Sequence, residues 1–138
     1  MASLVDLTRS YVILGRRVLH LGAHAQELVE LGRAIWPEAR PEEIIPQNGC
    51  VPWRAAVLAL TLRSVASRME QHEELDPVAV ACDVVAWAEK HPIGEVVEVP
   101  PEALSLEEGA VARAMGGGKR ACLFGAALHV ARKVCELA

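Results

Sequence analysis

The stretch Ile44-Ile45-Pro46-Gln47-Asn48-Gly49-Cys50-Val51-Pro52 does most to limit what this chain can fold into. Asn48-Gly49 tolerates the positive φ that ends a helix. Pro52 stands where a new helix can begin, because the first residues of a helix need no N–H partner. Trp53 to Met69, which follows, is among the most apolar segments of the chain. Two helical segments must therefore meet at an angle fixed here, and the second must be buried.

Upstream, apolar or small residues fall at Leu4, Leu7, Tyr11, Leu14, Val18, Leu21, Ala25, Leu28, Gly32 and Ile35. The spacing alternates three and four, a heptad-like seam. It predicts one long first helix from about Leu4 to Ile35, roughly 48 Å in length, started at Ser3 and Asp6 and ended by Pro37. Pro41 opens a short helical turn over Glu42–Gln47. A helix from about Pro52 to Glu74 should bury Trp53, Val57, Leu60, Val65 and Met69. Asp76-Pro77 reads as an N-cap and first-turn proline, starting a helix that runs to Lys90 before His91-Pro92. Residues 93–104 read as an acidic surface loop. Ser105-Leu106-Glu107-Glu108 matches a capping box, Gly116-Gly117-Gly118 breaks the helix it starts, and a last helix runs from Lys119 to Leu137. The expected fold is all-α: a single domain over 1–138, a bundle of five or six helices with a long first helix.

The chain has 138 residues, enough for a real core, and 52% of them are hydrophobic while only 4% are aromatic,. The core must therefore be built from Ala, Val and Leu. The longest strong apolar run, Ala55 to Leu62, is closed by Arg54 and Arg63 and is too short to span a bilayer,. No signal-peptide plan is present, so a cytoplasmic protein without membrane association is expected. Cys50, Cys82, Cys122 and Cys135 form no CxxC pair, which argues against a zinc site,. They read as buried free thiols, with disulfides of a hyperthermophile's intracellular protein as the alternative.

The net charge of −4 hides a segregation. Residues 70–110 hold eleven acids against Lys90 alone, a net of −10, so the remainder carries +6. Such a chain can present a basic face despite its acidic total. The acidic segment suits a basic neighbouring protein.

Several local patterns invite chemistry. Gly116-Gly117-Gly118-Lys119-Arg120 lacks the spacing and the Ser/Thr of a phosphate-binding P-loop, but a helix start with two cations can attract a nucleic-acid phosphate. His20 and His24 are four apart, with Glu27 beyond, yet there is no Glu-x-x-His pair, so no metal or other cofactor is expected. Arg17 and His24 loosely resemble the Arg/His motif of HEPN ribonucleases, in which Arg would stabilise a phosphate while His moves a proton. With so few aromatics, base stacking is not expected; any nucleic-acid binding should go through phosphates and weaken with salt.

Three stretches carry a wider resemblance. Ile44 to Val51 resembles the Pro/Ile-rich turn ending in Asn-Gly of the small helical subunit of the type III-B CRISPR RNA-silencing effector, the Cmr complex. Val84-Val85-Ala86-Trp87-Ala88-Glu89 resembles that family's Trp-bearing middle helix. Lys119-Arg120-Ala121 through Val130-Ala131-Arg132-Lys133 resembles its basic terminal helix. The resemblance implies a non-catalytic structural subunit in antiviral defence. Copies would stack with other subunits of the ribonucleoprotein, with possible self-association, beside the guide or target RNA. Candidate RNA-backbone contacts are Arg16, Arg17, Arg63, Arg68, Lys119, Arg120, Arg132 and Lys133. A HEPN-like ribonuclease using Arg17 and His24, or a helical interaction module without RNA, are the alternatives.

Overall fold

The computed structural model describes residues 6–8, 11–14, 17–20, 24–45, 52–90 and 98–138. The Pro46–Val51 part of the break and Cys50, with Arg16 and the His91-Pro92 stop, lie outside them. Within the described residues the fold is a helical bundle. Its helices are α1 (Ala25–Ile35), α2 (Pro41–Ile44), α3 (Trp53–Glu70), α4 (Pro77–Lys90), α5 (Leu106–Ala114) and α6 (Gly118–Leu137), with a 3₁₀ turn at Pro101–Ala103 before α5.

The long first helix does not form. Residues 6–8 are helical, but Tyr11–Leu14 and Arg17–His20 are antiparallel strands β1 and β2, in the register Tyr11↔His20 to Leu14↔Arg17. Helix resumes only at Ala25. The physical reason is in the residue types. Tyr-Val-Ile-Leu and Arg-Val-Leu-His are rich in β-branched and aromatic side chains, and the pair between them in sequence begins with Gly, as two-residue hairpin connections favour. A three-four spacing of apolar residues counts positions and ignores these preferences. The hairpin backbone lies against α3, so it adds to the bundle rather than replacing it.

α6 occupies the centre and packs on α3, α4 and α5, touching α1 as well. Ala121, Cys122, Leu123, Ala126, Ala127, Leu128, Val130, Ala131 and Val134 are all buried. The small side chains let neighbours approach from every direction. Gly125 marks the tightest point: a Cβ there would stand 2.9 Å from the Glu108 carbonyl oxygen, so α5 could not lie so close to a larger residue. α3 is the second central helix. Ala55 through Leu62 and Ser64 through Ala66 are buried, and Arg63 alone in that run is exposed. Burial thus goes round α3 rather than along one stripe, and Met69, expected inside, is 39% exposed near its end.

The helix ends are capped by recognisable devices. Ser105 Oγ accepts from the Glu108 N–H, and Glu108 Oε1 accepts from the Ser105 N–H, the expected capping box,. Asp76 Oδ1 accepts from the Val78 N–H at the start of α4. At the end of α5, Gly117 N–H donates to the Ala112 carbonyl and Gly116 N–H to that of Arg113. That is a Schellman motif, with Gly116 at φ +97° in the left-handed position that it needs,. α3 ends the same way, four residues short of the expected Glu74. Glu73 N–H donates to Arg68 O and His72 N–H to Met69 O, with His72 itself left-handed at φ 56°. The expected loop over 93–104 is not wholly at the surface either, since Val99 is 3% exposed and joins the core.

Candidate functional site

Three arginines of α3 meet three different partners. Arg54 Nη1 donates to Glu43 Oε2 of α2 at 2.9 Å. Its Cζ lies 4.4 Å from the Trp53 ring centre and 5.6 Å from that of Trp36. The two indoles meet edge to face at 5.6 Å. Sequence pins the corner locally. Pro37 follows the end of α1, Pro41 starts α2, and Pro52 precedes α3, so the ends of three successive helices bring Trp36, Glu43, Trp53 and Arg54 together,. Glu43 Oε1 also accepts the Arg40 backbone N–H at 3.0 Å. That hydrogen bond, aided by the Arg54 charge and opposed by burial, holds the Glu43 carboxyl below its ordinary value,.

A groove of about 580 Å³ opens beside this corner, bounded by Trp36, Glu43, Arg54, Ser105, Glu108 and His129. Several of its polar groups are engaged within the fold. Glu108 caps α5. His129 Nε2 donates to the Ile35 carbonyl at 3.1 Å, which places the proton of the neutral ring on that nitrogen,. Only Arg54 Nε in this group is buried without an acceptor. Nothing here pairs a nucleophile with a base, so the groove reads as a joint between α1, α3, α5 and α6.

Arg63 sits on α3 with its Cζ 5.2 Å from the Trp87 ring centre of α4. No carboxylate pairs with it among the described residues. Arg68, farther along, donates from Nε and Nη2 to Asp83 Oδ2 at 3.2 and 2.8 Å, and from Nη1 to Glu73 at 3.4 Å. Ser64 Oγ donates to the same Asp83 oxygen at 2.8 Å. The hydrogen bond to Asp83 raises the Arg68 pKa further. Burial, with the Asp76 carboxylate, pushes the nearby Cys135 thiol above its ordinary value.

The remaining sequence candidates divide. Lys119 Nζ lies 3.3 Å from Glu98 Oε1, and Arg120 Nε lies 3.1 Å from Glu89 Oε1, so the basic start of α6 faces the chain's own acidic segment. Arg132 is exposed and Lys133 half-buried, and neither pairs with a carboxylate among the described residues. Arg17 belongs to β2 and Arg16 lies outside the described residues. No contact among the described residues gathers the candidate cations on one surface. Composition could not reveal this, because it separates the acids of 70–110 from the bases around them while the fold pairs four of those acids with bases from α3 and α6.

The helical spacing assumed for the histidines is also absent. His20 is in β2 and His24 precedes α1, so neither His20 with His24 nor Arg17 with His24 shares a helix face. His24 Nδ1 is 3.8 Å from Glu27, a local contact. Among the described residues no three His, Cys, Asp or Glu side chains are grouped to hold a metal, and no helix is long and apolar enough to cross a membrane. Cys122 is buried, Cys135 half-buried and Cys82 exposed, all three as free thiols. Comparison with protein-family models, with curated proteins and with solved structures finds no match to this chain.

Proposed function

We propose that this chain is a non-catalytic helical subunit of a type III-B CRISPR ribonucleoprotein effector, stacking with its other subunits and steadying RNA through backbone phosphates. The observation that supports this reading best is where the resemblance-bearing stretches fall. Residues 84–89 lie in α4 and 119–133 in α6, and these helices pack on each other. The third stretch leads directly into α3, which packs on both. The two stretches in α4 and α6 thus belong to one core, as the reading expects.

The charges fit the same role. Arg63 and Arg132 are exposed and unpaired among the described residues. The ion pairs of Lys119 and Arg120 are surface pairs, at 83% and 72% side-chain exposure. Such pairs contribute little and can exchange a carboxylate for a phosphate. Glu70, Glu74, Glu102 and Glu107 remain exposed for a basic neighbouring subunit,.

The test is a titration of labelled single-stranded RNA with the purified chain over a salt series. Binding should be weak and indifferent to sequence. Its logarithmic salt slope should fall by about 0.7 for each phosphate engaged. Affinity that does not respond to salt, or no binding at low salt, would overturn the phosphate reading.

A further inference from the structure

Arg63 stands at the α3–α4 seam, apart from the basic last helix. Arg63 interrupts the buried run of α3. Its backbone is therefore flanked on both sides by buried residues. Its guanidinium rests over the indole of Trp87, which is itself packed against that core. The guanidinium thus has an aromatic neighbour at 5.2 Å, while its N–H donors have no carboxylate partner among the described residues.

The acidic surroundings are quieter than the sequence total suggests. Asp83, one turn before Trp87 on α4, is engaged by Arg68 and Ser64. Glu89, just after Trp87, is engaged by Arg120. Lys90, one turn beyond Trp87, is exposed and forms no ion pair among the described residues. Glu70 is two turns along α3 on the Arg63 side, about 10 Å away by helix rise. That exceeds the Debye length at physiological salt, so its opposition is largely screened.

We propose that Arg63, seated on Trp87 and seconded by Lys90, is a preorganised phosphodiester contact for single-stranded RNA; this rests on the RNA-subunit reading above. A planar guanidinium can give two parallel N–H bonds to one phosphate. Contact with the indole restricts part of the side-chain freedom that binding would otherwise have to freeze,. Lys90 adds a point charge for a neighbouring phosphate.

Anisotropy titrations of labelled single-stranded RNA, using the full chain with thermal melts to confirm folding, test this directly. Arg63→Ala should weaken binding about tenfold and reduce the salt slope by about one phosphate's share. Arg63→Lys should keep the slope but recover only part of the affinity, because it restores charge without the stacked fork. Trp87→Leu should lose affinity with the slope unchanged. Arg113→Ala, an exposed cation on α5 outside the seam, should change neither. If Arg63→Ala binds like the parent while Arg132→Ala with Lys133→Ala weakens binding, the seam site is wrong and the RNA reading stands. Full affinity in Arg63→Lys overturns the stacked geometry. A parent chain that binds no RNA at low salt removes both the reading and the site.

Discussion

Arg54 and Arg63 lie on the same helix and each has a tryptophan ring centre near its guanidinium carbon, at 4.4 and 5.2 Å, yet they sit in opposite surroundings. Arg54 is closed in. Its side chain is 19% exposed, flanked by two indoles, and answered by Glu43. Arg63 is open, with one indole beneath it and no carboxylate beside it among the described residues. A cation over an aromatic ring is attracted by about 0.5–1 kcal/mol at an exposed site and more when water is excluded. The shared contact is therefore the smaller part of the difference. What separates the two is whether a charge partner and two packed helices close over the guanidinium. The first arrangement holds the fold together; the second leaves donors free for something else.

The comparison can be broken most easily at its closed end. Arg54→Ala should destabilise the chain by about 2 kcal/mol, since it removes the pair with Glu43, which keeps its Arg40 contacts, and the filling between Trp36 and Trp53,. Urea unfolding measures this, and a loss no larger than that of Arg63→Ala would mean that the corner is not a structural joint. Arg68 is intermediate, paired but at a side-chain exposure of 22%. Arg68→Ala should cost about 1–2 kcal/mol by leaving Asp83 with Ser64 alone.

A smaller effect is expected on acidification. Because the folded state holds the Glu43 carboxyl below its ordinary value, the unfolded chain takes up that proton first. The stabilisation is complete above the ordinary glutamate range and is lost as pH falls through the depressed folded value. Unfolding free energies measured from neutral pH downward should fall less steeply in Glu43→Gln than in the parent. Equal slopes would show that the Arg40 and Arg54 contacts do not favour the ionised form. The smallest effect belongs to the open end: Arg63→Ala should change stability by about 0.5 kcal/mol or less. A large loss in thermal melts would make Arg63 a second structural clamp and leave it unavailable for a ligand.

The parts of this contrast that local chemistry decides were legible in the sequence. The Ser105-to-Glu108 box, the Asp76-Pro77 start and the glycine break after α5 each rest on side chains acting within one turn, and each stands where it was expected. The ends fixed by tertiary contacts were not legible. Periodicity joined Leu4 to Ile35 because apolar spacing alone does not distinguish a helix from a hairpin made of β-branched residues followed by a helix. It gave α3 one buried stripe, whereas neighbours enclose Ala55 to Leu62 from every side. The pairing of Arg54 with Glu43 and of Arg68 with Asp83 spans separate helices, so no local pattern could announce which arginine would be left over. The presence of Trp87 in the middle helix was visible; that it lies under Arg63 required the antiparallel crossing of α3 and α4.

The central place of α6 carries a consequence for how the protein is made. Its twenty residues are synthesised after α3, α4 and α5 and fill the space between them. At roughly 5–20 residues per second, the apolar surface of α3 waits on the order of 3–13 s for its final neighbour to leave the ribosome. During that interval an Ala-, Val- and Leu-rich helix is uncovered in a crowded cell. Early shielding of that helix, as by a chaperone, would act on this protein before its core is complete.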